Sequence, residues 1–275
     1  MTAHAKPLGR VMVIAGSDSG AGAGIQADIK TVMALGGYAT TAITALTAQN
    51  TEGVFDVSGV PPSFVTAQIR AVMDDIGADC WKLGMLHDGA VVEAVSALYE
   101  EIGENVPLVM DPVMLAKSGH SLLEPAALDL LKHRLLPQSF IVTPNVPEAE
   151  LLLDSEIRSP DDMKHAAESM MSFGSGAVLL KGGHLDGPVV CDVLCSSTGT
   201  ETFEAARIDS RHTHGTGCTL ASAIATGLAL GLPITKAVTR GRAYLLKAML
   251  STPRLGRGNG PMNHAHTLVP FDVDA

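Results

Sequence analysis

The run 212–219, His-Thr-His-Gly-Thr-Gly-Cys-Thr, carries the densest chemistry in the chain. Gly215 and Gly217 allow a tight turn and a close backbone approach to a ligand. Small residues at helical spacing follow, so a helix is expected over residues 219–230. Its unpaired N–H groups would face that ligand, and its dipole would favour an anion. Cys218 falls in the first turn, where the same field favours a thiolate. The segment thus offers an anion cradle at Gly215, Thr216 and Gly217, and a base at Cys218. A glycine turn ahead of a buried, Ala-rich helix is the competing reading.

Other polar residues fall where apolar runs end. Gln49 follows such a run, and an amide there can both donate to and accept from a heterocycle edge. It also suits a plain turn. Asp111 precedes Pro112, and Glu148 closes the run Asn145-Val146-Pro147-Glu148. Carboxylates at neighbouring strand ends could hold Mg²⁺ through water, while Asn145 is equally a good helix cap. Lys181 precedes two glycines, which suits a cation reaching phosphate or an ordinary surface lysine. Asp28 reads as a first-turn helix carboxylate. His212 and His214 read as polar loop residues, with no third metal ligand beside them.

The elements that would position these residues alternate. Strands are expected over residues 11–15, 38–46, 54–60, 80–85, 108–113, 140–143 and 177–180. Helices are expected over 25–35, 63–76 with Ser63 as cap, 91–102, 125–136, 159–173 and 235–250. Residues 189–195 and 202–208 flank a Ser-Ser-Thr-Gly-Thr turn and suggest an antiparallel hairpin. Apolar strand, loop and amphipathic helix in repetition mark a parallel sheet covered on both faces. In such sheets ligands bind beyond the carboxyl ends of the strands, where the polar residues above fall. No linker or internal repeat interrupts the pattern, so one domain is expected over residues 1–275, irregular at about 1–9 and 254–275.

The glycine-rich loop 16–24 stands where a dinucleotide fingerprint would, but its spacing fails at Ile25 and no acid ends the second strand. The P-loop pattern does not occur either. Any nucleotide would therefore meet the turn at 215–217. A net charge of −10 and a pI near 5.4 argue against nucleic acid and anionic membrane surfaces as partners. No apolar stretch reaches membrane-spanning length, and no signal-peptide pattern opens the chain. Four scattered cysteines form no disulfide framework, which points to a cytoplasmic setting. Cys191 and Cys195 lie in an apolar run and read as buried strand residues rather than metal ligands.

Residues 15–28, 44–51, 111–114, 143–148, 180–184 and 214–219 occur in an order that resembles one family. These are the hydroxymethylpyrimidine and hydroxymethylpyrimidine-phosphate kinases of thiamine biosynthesis, in the ribokinase-like superfamily. The likeness runs over about residues 11–266. It implies a three-layer α/β fold with a mostly parallel central sheet, helices on both faces and a small β-hairpin flap. It also implies ATP-dependent phosphorylation of a pyrimidine hydroxymethyl group and of the resulting monophosphate, with Mg²⁺, in a homodimer. By resemblance, Gly16, Asp28, Thr47, Gln49, Met85 and Val113 form the pyrimidine pocket. Cys218 takes the catalytic position with the 215–217 turn. Asn145, Glu148, Lys181 and Thr213 lie on the ATP side, and Asp111 and Glu148 are the metal-linked acids.

The first loop departs from the family pattern, with Ser19-Gly20-Ala21-Gly22 where a double glycine is usual. Most related sugar kinases carry Asp where Cys218 stands, which favours the pyrimidine and vitamin branch. A pyridoxal or pyridoxamine kinase is the second reading, since that pocket also holds a ring bearing a hydroxymethyl group. A silent pyrimidine-binding regulator is the third, and the joint presence of Cys218, Lys181 and Asp111 argues against it.

Overall fold

The computed structural model describes residues 8–114 and 125–268. Nine strands form one sheet in the order β3-β2-β1-β4-β5-β6-β7-β8-β9. They are β1 (Gly9–Asp18), β2 (Gly37–Gln49), β3 (Val54–Gly59), β4 (Cys80–Leu83), β5 (Leu108–Met110), β6 (Ile141–Val142), β7 (Ala177–Leu180), β8 (Val189–Ser196) and β9 (Gly199–Ala206). From β2 to β7 every pairing is parallel; β3 at one edge and β8–β9 at the other run antiparallel. The expected mostly parallel sheet and the hairpin are therefore both present.

The strands are apolar on both sides because helices cover both faces. Met12, Ile14, Trp81, Leu83 and Met110 pack toward α2 (Pro62–Asp75), α3 (Gly89–Ile102) and α7 (Pro160–Met171). Alternate residues Val11, Val13, Ala15, Cys80 and Val109 pack toward α1 (Gly24–Ala34), α8 (Thr216–Ala229) and α9 (Ile234–Leu250). Each such fully buried aliphatic side chain contributes about 1.5–3 kcal/mol relative to exposure. The first face also carries α4 (Pro125–Leu130), which continues through a π-turn at Leu131–Leu135 into α5 (Leu136–Gln138), and α6 (Val146–Leu153).

β1 pairs with β2 on one side and β4 on the other, so the chain's course reverses there. That reversal opens a crevice at the carboxyl ends of the central strands. Several expected boundaries shift. β1 runs on to Asp18, and α8 begins at Thr216, which draws the whole 216–218 segment into the first helical turn. Ser63 does not cap α2, because Pro62 takes the first helical position and Pro61 precedes it. Asp28 stands in the second turn of α1, not the first. Asp88 and Ser159 cap α3 and α7 through their side chains. The tail is mostly irregular, with a short 3₁₀ turn at His264–Thr267; residues 1–7 and 269–275 of the expected irregular ends lie outside the described residues.

Candidate active site

A cavity of about 1120 Å³ lies at the carboxyl ends of the strands. Every residue expected at the site lines it, with one exception: Gly16, Thr47, Gln49, Met85 and Val113 meet Asp111, Asn145, Glu148, Lys181, Thr213 and the 215–218 segment. Asp28 is the exception. It is fully buried, and its carboxylate receives Lys82 Nζ at 2.9 and 3.1 Å and the Ser222 hydroxyl at 2.6 Å. Direct contact between Asp28 and a ligand in the cavity is therefore corrected to a place beneath its floor.

The 215–218 turn has the geometry its glycine requires. Gly215 precedes α8 with φ at +82°, and a Cβ there would collide with the Gly22 carbonyl. The Gly16–Gly24 loop and the α8 start are thus pressed together. A Cβ on Gly217 would meet Asp111 Oδ2 and Lys181 Nζ, each at 3.2 Å, so the helix start, the acid and the lysine converge. Such convergence of backbone N–H groups and a cation is suited to a transferring phosphoryl group.

Lys181 is no free surface lysine. Its ammonium donates to Asp111 Oδ1 at 2.7 Å, and only 13% of its side chain is exposed. Burial works against its charge, but Asp111 and Glu148 hold it protonated above its ordinary range. Asn145 and Glu148 form a full capping box at α6, with Asn145 Oδ1 accepting from Glu148 N at 2.9 Å and Glu148 Oε2 accepting from Asn145 N at 2.8 Å. Both readings of Asn145 therefore meet in one residue: it caps α6 and lines the cavity. Burial pushes the Glu148 carboxyl up to about 7; Lys181 opposes that shift and Asp111 adds to it.

Asp111 and Glu148 are the two acids at this point. Among the described residues no group of three or more His, Cys, Asp or Glu forms a protein-only metal cage. Two carboxylates fit a Mg²⁺ ion that arrives on nucleotide phosphates and keeps several waters.

The other end of the cavity is polar through a cluster the sequence reading undervalued. His214 Nε2 lies 2.8 Å from Asp18 Oδ2 and 3.0 Å from the Gln49 amide. Asp18 also accepts from the N–H groups of Gly20, Gly22 and Ala23. Burial opposes its charge, but His214 and those N–H groups outweigh burial and hold Asp18 below the ordinary carboxylate range. Gln49 Nε2 faces His214 Nε2, and Gln49 Oε1 lies 3.2 Å from the Thr47 hydroxyl, which also reaches the Ser17 carbonyl at 2.9 Å. His214 lines the cavity and is a site residue, and its place directly before Gly215 was its local signal in the sequence.

Ala21, where the first loop departs from the family pattern, has φ at +59°. An L-residue there carries strain that glycine would not. Asp192 and Arg242 also line the cavity. Asp192 accepts from Gly182 N and from Arg242 Nε, which braces the loop after Lys181. Neither residue has a local motif to reveal it.

Cys218 lines the cavity, half-buried. Burial pushes its thiol up to about 11, with Asp28 and Asp111 adding to the shift; Lys82 and the Gly24 N–H pull the other way. The thiolate expected from the helix field is thus not the resting form, because burial outweighs the helix terminus.

A family profile described as phosphomethylpyrimidine kinase matches residues 18–263. The thiamine biosynthesis bifunctional protein ThiED of Geobacter sulfurreducens is 48% identical over 94% of this chain, which spans 52% of that longer relative's length. A hydroxymethylpyrimidine/phosphomethylpyrimidine kinase of Streptomyces coelicolor is 43% identical over 98% of this chain and 99% of its own. Among solved structures, phosphomethylpyrimidine kinase from Clostridium difficile is 41% identical, with a TM-score of 0.78 over 87% of this chain and 98% of that one. Pyridoxal kinase from Staphylococcus aureus, solved with pyridoxal, superposes with a TM-score of 0.86 over 94% of each chain, but at 32% identity. The chain belongs to the phosphomethylpyrimidine kinase family, phosphotransferases built on the ribokinase-like fold.

Proposed function

We propose that this chain transfers the γ-phosphoryl group of ATP to 4-amino-5-hydroxymethyl-2-methylpyrimidine, and a second to the monophosphate, giving the diphosphate used in thiamine biosynthesis. One observation carries this reading. The cavity sets a ring-sized wall of Gly16, Met85, Val113 and Gln49 beside an anion cradle, a cation and a thiol. The pyrimidine would lie against Met85 and Val113, with the Gln49 amide at the polar edge of the ring. Its hydroxymethyl group would point to Cys218.

In the first transfer the hydroxymethyl oxygen bonds to the γ-phosphorus, the bond to the bridging β,γ-oxygen breaks, and the hydroxyl proton passes to Cys218, which must first lose its own proton to solvent and act as the minor thiolate form. The N–H groups at the start of α8 and Lys181 stabilise the oxygens of the moving group. Asp111 and Glu148 would hold Mg²⁺, which offsets charge on the phosphates. The second acceptor is a phosphate monoester, whose last proton leaves near pH 6, so it is already a dianion at neutral pH. It needs alignment and charge neutralisation but no base.

The domain is read as one kinase unit over residues 1–275. The four cysteines are free, which supports a reducing, cytoplasmic setting, and among the described residues no helix is long and apolar enough to cross a membrane. Exposed Leu46 and Phe55 on the β2–β3 edge support the homodimer. Comparing kcat/KM for the pyrimidine and for pyridoxal tests the substrate. A higher value for the pyrimidine is expected; a higher value for pyridoxal would move the chain to the second reading.

A further inference from the structure

Beneath the cavity floor lies a charged cluster that the proposed mechanism does not use. Lys82 stands in the middle of β4, within Cys-Trp-Lys-Leu, and is fully buried. A lysine in such a place needs a counter-ion, since an unpaired buried charge costs several kcal/mol. Asp28 of α1 is that partner, with its Oδ1 and Oδ2 at 3.1 and 2.9 Å from Lys82 Nζ. Ser222 of α8 donates to Asp28 Oδ1 at 2.6 Å.

The position of this bridge is specific. Gly24 and Asp28 are one helical turn apart on α1, and Cys218 and Ser222 are one turn apart on α8. Ser222, one turn below Cys218 on α8, bonds Asp28, one turn below Gly24 on α1. Through Ser222 the bridge is thus tied to α8 one turn below the cradle. Above Lys82 stands Gly84, a cavity-lining residue; a Cβ there would lie 3.0 Å from Lys82 Nζ. The ammonium is separated from the cavity by a residue with no side chain.

We propose that the Asp28–Lys82 bridge is a positioning pair for Cys218: Asp28 holds the Lys82 charge away from the sulfur, and the balance between the two decides how readily the thiol gives up its proton. The role of Cys218 as base rests on the function proposed above; the control of its thiol by the bridge does not. The charged groups that act on Cys218 electrostatically include Asp28 from α1, Lys82 from β4, Asp111 after β5 and Lys181 after β7. Only Asp28 and Lys82 are wholly shut off from solvent, so their fields are the least screened. Burial works against the Lys82 ammonium, yet Asp28 and Asp111 hold it charged.

The test is the rate at which iodoacetamide labels Cys218 in the unliganded full chain between about pH 6 and 10, with Cys218→Ala as the control that assigns the label. Asp28→Asn keeps the shape and the bond to Ser222 but releases the lysine charge. Its labelling profile should move to lower pH, with labelling about tenfold faster near neutral pH, the equivalent of one unit of pKa. Lys82→Met keeps the volume and removes the cation, and its profile should move the other way, with labelling about tenfold slower. The two single variants decide the matter together, because their displacements should be opposite in sign. In the double variant the two displacements should largely cancel. Profiles that stay in place, or that move in the same direction in both single variants, would overturn the proposal. The kcat/KM profile should follow the labelling profile. If labelling moves and kcat/KM does not, Cys218 is not the base and the control of its thiol by the bridge still stands.

Discussion

Lys181 Nζ rests 2.7 Å from Asp111 Oδ1, so the cation placed to meet a moving phosphoryl group is held on an acid placed to meet its metal. Asp111 is held in turn by the Thr143 hydroxyl at 3.2 Å. The charges of this end of the cavity are therefore set against one another before any nucleotide enters, which limits the rearrangement needed on binding.

Lys181→Met should lower kcat and also weaken the fold. Asp111 and Glu148 would face each other without a cation, and losing a charged hydrogen bond costs about 1.5–3 kcal/mol. The pH dependence has a fixed sign. A Glu148 carboxyl pushed up to about 7 from an ordinary 4.5 keeps its proton in the fold, so stability falls as pH rises through that window. Without Lys181 that fall should steepen. Urea denaturation at about pH 5 and pH 8 reads both effects; equal stability of variant and parent at both values would refute them.

Gln49→Leu should raise KM for the pyrimidine and leave melting nearly unchanged. The amide is at the cavity wall and not in the core. Losing one polar partner of a buried ring costs about 1–3 kcal/mol, a KM increase of roughly 5- to 150-fold. Steady-state kinetics with the pyrimidine varied check this, and an unchanged KM would remove Gln49 from ring recognition.

Ala21→Gly should stabilise the protein. The residue sits at φ +59°, where an L-side chain costs about 1–2 kcal/mol, partly offset by the extra freedom of glycine in the unfolded chain. A melting temperature at or below that of the parent would show that the loop bears no strain at this position.

Cys218→Ala should separate the two transfers. Removing a general base costs about 10²–10⁴ in rate, but only where a proton must leave. Transfer to the hydroxymethyl group should fall by that factor, and transfer to the monophosphate should fall far less. Single-turnover rates with each acceptor decide it; equal losses would mean that Cys218 acts by shape and not by taking a proton.

Local chemistry made much of this molecule legible. Ser159-Pro160 and Asn145 with Glu148 mark helix starts because a cap and its partner lie within one turn. The glycine turn at 215 was readable because its constraint is a backbone one. The pairs that tune the site were not readable. Asp28 meets Lys82 from 54 positions away, and Asp18 meets His214 from 196. Lys82 did leave a trace, as a lysine inside an otherwise apolar strand. The raised thiol of Cys218 was missed for a different reason, since the helix field is visible in sequence and the burial that overrides it is not.

The ADP released per pyrimidine consumed, followed to completion with ATP in excess and with the product's phosphorus resonances recorded, tests the central claim most directly. Two ADP per pyrimidine are expected, one for each of the two proposed transfers, with the paired signals of a diphosphate ester. No ADP release with the pyrimidine, or a ratio that stops at one with a lone monoester signal, would contradict it.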